Sequence, residues 1–217
     1  MKRKLLLSLA ACAALLPALQ GCIPLVATGA TVGVLAAIDR RSVGTQTDDE
    51  AIEWKALARI EEKLGNRAHV NVTSYNHAVL LTGEAYNEAA KAEVDSIVRA
   101  IPGVKNTYNE LAIAPSSSFV NRSNDAFITS KIKSRSVDTG KFNPVHVKVV
   151  TEAGTAFLLG IVTQSEADAA VQVARTTSGV KKVVNLMEIV TVERVKELEL
   201  EASRDKNRPK EDAAYKN

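Results

Sequence analysis

The chain has 217 residues, with 28 Lys and Arg against 25 Asp and Glu, and only 4% of it is aromatic. Lys2, Arg3 and Lys4 account for the whole cationic excess, so the remainder is formally neutral and offers no charge argument for nucleic-acid binding. Two cysteines, Cys12 and Cys22, are too few for a disulfide framework or a Cys-based metal site, and the length suits one or two small domains.

Lys2-Arg3-Lys4 opens a charged n-region, and Leu5 to Leu16 is an apolar run too short to span a membrane. Leu19-Gln20-Gly21-Cys22 follows and resembles the lipobox of bacterial lipoproteins. That resemblance implies removal of residues 1–21, a thioether-linked diacylglycerol on Cys22, and an N-acyl chain such as palmitate on its new amino group. Cys12 then leaves with the signal, and the acylated Cys22 can form no disulfide. Several acyl chains anchor a protein stably where one does not. Ile23 stands where an Asp would mark inner-membrane retention, so the same resemblance implies the outer membrane, most simply its periplasmic face.

Ile23 to Ile38 is apolar but interrupted by Pro24, Gly29 and Gly33. It reads as a tether near the lipid, with a packed strand or helix as the alternative. Asp39 to Thr47 reads as a polar linker, which makes 22–47 one lipidated N-terminal segment. The rest repeats itself. His69-Val-Asn-Val72 matches His146-Val-Lys-Val149, and Val79-Leu-Leu-Thr-Gly83 matches Ala156-Phe-Leu-Leu-Gly160, both 77 residues apart. Ile101-Pro-Gly-Val-Lys105 matches Thr177-Ser-Gly-Val-Lys181 at a separation of 76.

Each copy has the same predicted elements. A short helix carries Ile52, Ala56 and Ile60 in the first copy, and Ile128 and Ile132 in the second. Two strands follow, at 70–74 and 78–83, then 145–150 and 155–160, with turns at Asn76-His77 and Ala153-Gly154. Gly83 and Gly160 are read as strand ends. A second helix places Ala90, Val94, Ile97, Val98 and Ile101 on one face, and Ala167, Ala170, Val171 and Ala174 in the other copy. Gly103 and Gly179 are read as its left-handed caps. A last strand covers 104–113 and 181–192. The expected fold is α+β: two α-β-β-α-β units, at 48–114 and 124–192, each with two helices against a small three-stranded mixed sheet. Residues 115–123, with Ser116-Ser-Ser118 after Pro115, read as the linker. The tail 193–217 begins helical, with Val195 and Leu198 or Leu200 as contacts, and becomes charged and disordered from Ser203.

The paired Val-x-Val and Leu-x-Gly strands, the amphipathic helix and the Gly-Val that follows it resemble the BON domain. Two such domains behind a lipobox, with Arg41-Ser-Val-Gly-Thr-Gln46 before the first and Ser123-Asn-Asp125 opening the second, resemble dual-BON outer-membrane lipoproteins. The resemblance implies a non-catalytic envelope module that binds phospholipid or another envelope component and supports outer-membrane integrity. It implies no cofactor.

The residues themselves show no catalytic constellation. His69 and His146 hold equivalent positions and, with His77, suit a structural role better than a metal site. Neither Gly-x-Ser-x-Gly nor a P-loop occurs. One surface stands out. Ser123-Asn124-Asp125 offers an N-cap. With Ile128 at the centre of a helical wheel, Ile132 lies at about +40°, Lys131 at about −60° and Phe127 at about −100°. Phe127 thus points off the core, Lys131, Lys133 and Arg135 follow it, and no acid occurs from Ala126 to Val137. An aromatic among cations suits an anionic phospholipid interface. Packing of Phe127 against the linker or the first domain is the alternative. The family resemblance favours lipid, although such proteins carry Trp at this place, whose indole N–H Phe127 lacks. In the first repeat, Trp54 also lies off the core but has Glu53, Glu61 and Glu62 beside it. That suits a protein partner or an interdomain contact, with simple partial burial as the alternative, and makes an adaptor for an envelope protein the competing function. A purely structural role would leave no single sensitive surface residue.

Overall fold

The computed structural model describes residues 39–206; the signal, Cys22, the apolar stretch to Ile38 and residues 207–217 lie outside them. The first repeat is helix α1 (Val43–Leu64), hairpin β1 (Ala68–Tyr75) and β2 (Ala78–Ala85), helix α2 (Glu88–Arg99), and short strands β3 (Asn106–Asn109) and β4 (Ala112–Ile113). The second is α3 (Phe119–Thr139), β5 (Val147–Glu152), β6 (Thr155–Val162), α4 (Gln164–Arg175), β7 (Lys182–Asn185) and β8 (Glu188–Ile189), with helix α5 (Val192–Lys206) after it. In each sheet the second hairpin strand is central. β2 pairs antiparallel with β1 and parallel with β3 and β4. β6 does the same with β5, β7 and β8.

Both central strands are buried on both faces, which is why they read as continuous apolar runs. Alternate residues serve different cores. Val79 and Leu81 face α1 and α2 with Ile52, Ala56, Ile60, Val94 and Val98. Ala156, Leu158 and Val162 pack with Ile128, Ile132, Ala170 and Ala174. The intervening Leu80, Phe157, Leu159 and Ile161 join Tyr75 in a third core that unites the two repeats, with Tyr108, Val150, Val184 and Leu198 at its margin. Polar contacts extend the seam. Lys148 meets Glu53 at 3.2 Å, and Asn76 Nδ2 donates to Glu188 at 2.8 Å.

The hairpin turns need positive φ at two consecutive residues, and only one of the four is glycine: Asn76 (52°), His77 (66°), Ala153 (49°) and Gly154 (79°). A carboxylate from the preceding helix holds each turn. Asp49 accepts from the amides of Asn76 and His77, both at 2.8 Å. Asp125 accepts from those of Ala153 and Gly154, both at 2.9 Å. Asp125 is therefore a turn anchor inside α3, and the N-cap of that helix is Ser118.

The glycines also act differently from the sequence reading. Gly83 and Gly160 lie within their strands, where a Cβ would fall 2.1 Å from the His69 carbonyl oxygen and 2.3 Å from that of His146. They permit close pairing of the hairpin strands rather than ending them. Gly103 (φ 96°) and Gly179 (φ 97°) stand past the helix ends, as third residues of turns closed by Val104 N–H to Ile101 O and Val180 N–H to Thr177 O. Positive φ at that place is the type II arrangement.

Three segments read as linker or tail are part of the fold. Within 39–47, Ser42 caps α1, which already begins at Val43. Arg40 is buried: it grips Glu166 with two bonds of 2.9 Å, donates to the Ile161 carbonyl at 2.8 Å and reaches Glu199 at 3.1 Å. Arg41 joins Asp39 and Asp49, with its guanidinium 4.1 Å from the centre of the Tyr75 ring. Within 115–123, α3 starts at Phe119. In the tail, α5 buries Val195 and Ala202 and lays Leu198 against the shared core, while Leu200 stays exposed.

Candidate functional site

Helix α3 buries Ile128, Ile132, Asp125 and Ser136 on one side. Its other side is uncovered: Phe119, Val120, Phe127 and Val137 are all exposed, Phe127 at 62%. On a wheel centred on Phe127, Val120 lies at about +20° and Phe119 and Val137 at about −80°, with Ser123, Ser130 and Ser134 between them. The result is an apolar stripe with small polar gaps along the whole helix. Phe119 and Val120 escaped the sequence reading because they fell in the supposed linker. Ser118 as a cap and the seven-residue spacing from Val120 to Phe127 were the available signals.

The four residues singled out here have different surroundings. Lys131 Nζ stands 4.8 Å from the centre of the Phe127 ring and also donates to the Ser178 carbonyl. Lys133 is exposed on the far flank of the stripe. Arg135 is exposed but bonded along the surface: its guanidinium donates to Val173 O at 3.1 Å, Thr177 Oγ1 at 2.8 Å and Thr176 Oγ1 at 2.9 Å. It ties α3 to the end of α4, as Lys131 ties it to the turn at Ser178, while Lys133 makes no such bond. Phe127 is a member of none of the three cores.

Trp54 is 76% exposed, and Leu57 beside it is exposed too. At that exposure Trp54 takes no part in the buried core between the repeats. The contact with the second domain is made by Glu53, whose carboxylate accepts from Ser74 N–H at 2.7 Å and pairs with Lys148. Glu50 and Glu61 flank the Trp54 face, at about −40° and −20°.

The histidines lie away from both faces. His69 Nδ1 sits 3.4 Å from Glu84, and His146 Nδ1 sits 4.0 Å from Glu166. Among the described residues no group of three His, Cys, Asp or Glu side chains is arranged to hold a metal ion, and no helix is long and apolar enough to cross a membrane.

Residues 48–115 and 124–191 each match the family model of the BON domain. The chain belongs to the BON domain family. It is 41% identical over 170 residues to the outer membrane lipoprotein DolP of Haemophilus influenzae, covering 77% of this chain and 88% of that one. It is 36% identical to the 21 kDa hemolysin of Actinobacillus pleuropneumoniae, covering 70% and 80% of the two chains. With osmotically-inducible protein Y of Escherichia coli the identity is 29%, covering 66% and 73%. None of these relatives bears an enzyme's name. The α3 stripe belongs to the second BON domain and the Trp54 face to the first.

Proposed function

We propose that this chain is a non-catalytic, lipid-anchored protein of the outer membrane, on its periplasmic face, whose second BON domain contacts anionic phospholipid and supports envelope integrity. The carrying observation is the uncovered apolar stripe of α3, with Phe127 near its middle and the Lys131 ammonium beside the ring. The ring enters the headgroup region while Lys131 and Lys133 meet lipid phosphates. The lipobox at 19–22 and the outer-membrane relative support the anchor and its location. With Cys22 acylated, the α3 contact becomes intramolecular, so a weak affinity suffices to bias where the protein stands in the membrane.

The test is flotation of the chain from Asp39 onward, which contains all three cores, with vesicles of phosphatidylcholine alone or mixed with phosphatidylglycerol. The wild type is expected to float with the anionic vesicles only. Phe127→Glu is expected to lower that binding by about tenfold or more, with an unchanged thermal melt. A wild type that floats with neither would sink the proposal.

The Trp54 face supports a second reading, an adaptor for an envelope protein, because a large aromatic is left uncovered among acids that an anionic surface repels. On that reading Trp54→Ala abolishes envelope protection in a complementation assay and leaves flotation unaltered. On the lipid reading Trp54→Ala complements fully.

A further inference from the structure

Helices α2 and α4 occupy equivalent places in the two repeats, 76 residues apart throughout. In α2, Arg99 closes an ion pair with Asp95 one turn back, at 2.5 Å. In α4 the same two places hold Arg175 and Val171, so the arginine has lost its acid. The following strand then adds charge, beginning with Lys182 where β3 begins with Asn106. Arg175, Lys181 and Lys182 line a groove of about 350 Å³ with Val171, Val180 and Val183. None of the three cationic groups has a hydrogen-bond or ion-pair partner among the described residues.

Neighbouring turns place this groove beside α3. The stem of Lys181 lies over Gly154, where a Cβ would sit 3.0 Å from its Cδ. A Cβ on Gly179 would sit 2.9 Å from Ile128 Cγ1 and 3.5 Å from Lys131 Nζ. The 177–180 turn therefore abuts the helical turn that carries Phe127 and Lys131, and leads directly to Lys181 and Lys182. Asp125 and Glu152 border a neighbouring cavity with Lys181. Asp125 is committed to the turn amides and Glu152 to Asn71.

We infer that the Arg175–Lys181–Lys182 groove is a headgroup subsite, which takes the phosphodiester of an anionic phospholipid while Phe127 enters the interface beside it. The inference rests on the lipid reading of α3 and extends it to residues outside that helix. The first BON domain has no counterpart, because Asp95 neutralises Arg99 and Asn106 replaces the second lysine.

The experiment uses the same flotation assay with Arg175→Ala/Lys182→Ala and with Val171→Asp, which rebuilds the ion pair of α2. Val171→Asp is expected to lower affinity for anionic vesicles about fivefold, and the double variant about twentyfold or more. The double variant should also show a shallower dependence on salt. Inorganic phosphate matched to the lipid phosphate is expected not to displace the protein. Thermal melts check each fold; if Val171→Asp destabilises the domain, the two exposed cations carry the test alone. Wild-type affinity in the double variant would overturn the subsite, as would displacement by inorganic phosphate at the matched concentration. If wild type floats and Phe127→Glu does not, while the groove variants match wild type, the groove alone is refuted. A wild type that never floats refutes the lipid reading itself.

Discussion

Asp49→Ala is expected to lower the free energy of unfolding by about 4 kcal/mol, the largest effect of any single substitution considered. The Asp49 carboxylate is 2% exposed and accepts four bonds: Ser74 Oγ at 2.6 Å, the Asn76 and His77 amides, and Arg41 Nη1 at 2.8 Å. Its removal leaves two turn amides unpaired at residues already held at positive φ, and both costs fall on the same hairpin. Arg41 keeps Asp39, so the charge is not orphaned. Asp125→Ala provides an internal control. Asp125 carries out the same task with two turn bonds and no arginine, so its loss should cost about half as much. Urea unfolding of both variants measures the two values, and equal effects would show that the extra bonds of Asp49 contribute nothing. Burial pushes the Asp49 carboxyl up, but Ser74, the turn amides and Arg41 outweigh that and hold it below the usual range. Its contribution is therefore complete above the ordinary carboxylate pKa and is lost as the pH falls through the lowered one.

Arg40→Ala is expected to cost about 3 kcal/mol at neutral pH, or about 6–12 °C in melting temperature. Arg40 fastens the entry of the chain to the start of α4 and to α5 in one side chain. Its main partner, Glu166, also completes the capping box of α4 with Thr163. Burial alone would raise the Glu166 carboxyl, but Arg40 and the Thr163 amide and hydroxyl bring it down to about 2. A carboxylate lowered from about 4.5 stabilises the fold fully above that value and loses its contribution between about pH 4.5 and 2. The gap between wild type and Arg40→Ala should therefore be widest above pH 5 and narrow steadily towards pH 2. Melts taken across that range decide it. A gap independent of pH would mean that Arg40 acts through packing and the Ile161 carbonyl rather than through Glu166.

The repeat and both cores were legible because they rest on local pattern. Ile52, Ala56 and Ile60, or Val79 and Leu81, announce their faces at helical or alternating spacing. The unread features depend on distant partners. Arg40 lies 126 residues from Glu166 and 159 from Glu199, and no periodicity reports such a bond. Ser116 to Asn124 are rich in Ser and Asn, which favour turns in isolation, yet the Ser118 cap and the packing of Ile128 and Ile132 carry the helix from Phe119 onward. The last strand was read as continuous but is split in both copies. Asn109 and Asn185 each accept, through their own side chains, the amide two residues on, at Leu111 and Met187. The strand kinks there and buries Leu111 and Met187 in their domain cores. The paired asparagines were visible, but their effect belongs to the asparagine side chain competing with the ladder. For the candidate site, residue type and helical angle located Phe127 and Lys131. Nothing local distinguished Arg135, whose guanidinium turns inward to α4, from Lys133, which does not.

The grip of Arg40 also fixes where the chain enters the fold. It holds the entering chain at Ile161, near the far end of β6 from the Ala153-Gly154 turn, and Phe127 lies at the turn end. Between them runs roughly 20 Å of strand. A pull on the chain at Asp39 is therefore borne first by the Arg40 ion pairs with Glu166 and Glu199, about a strand's length from Phe127.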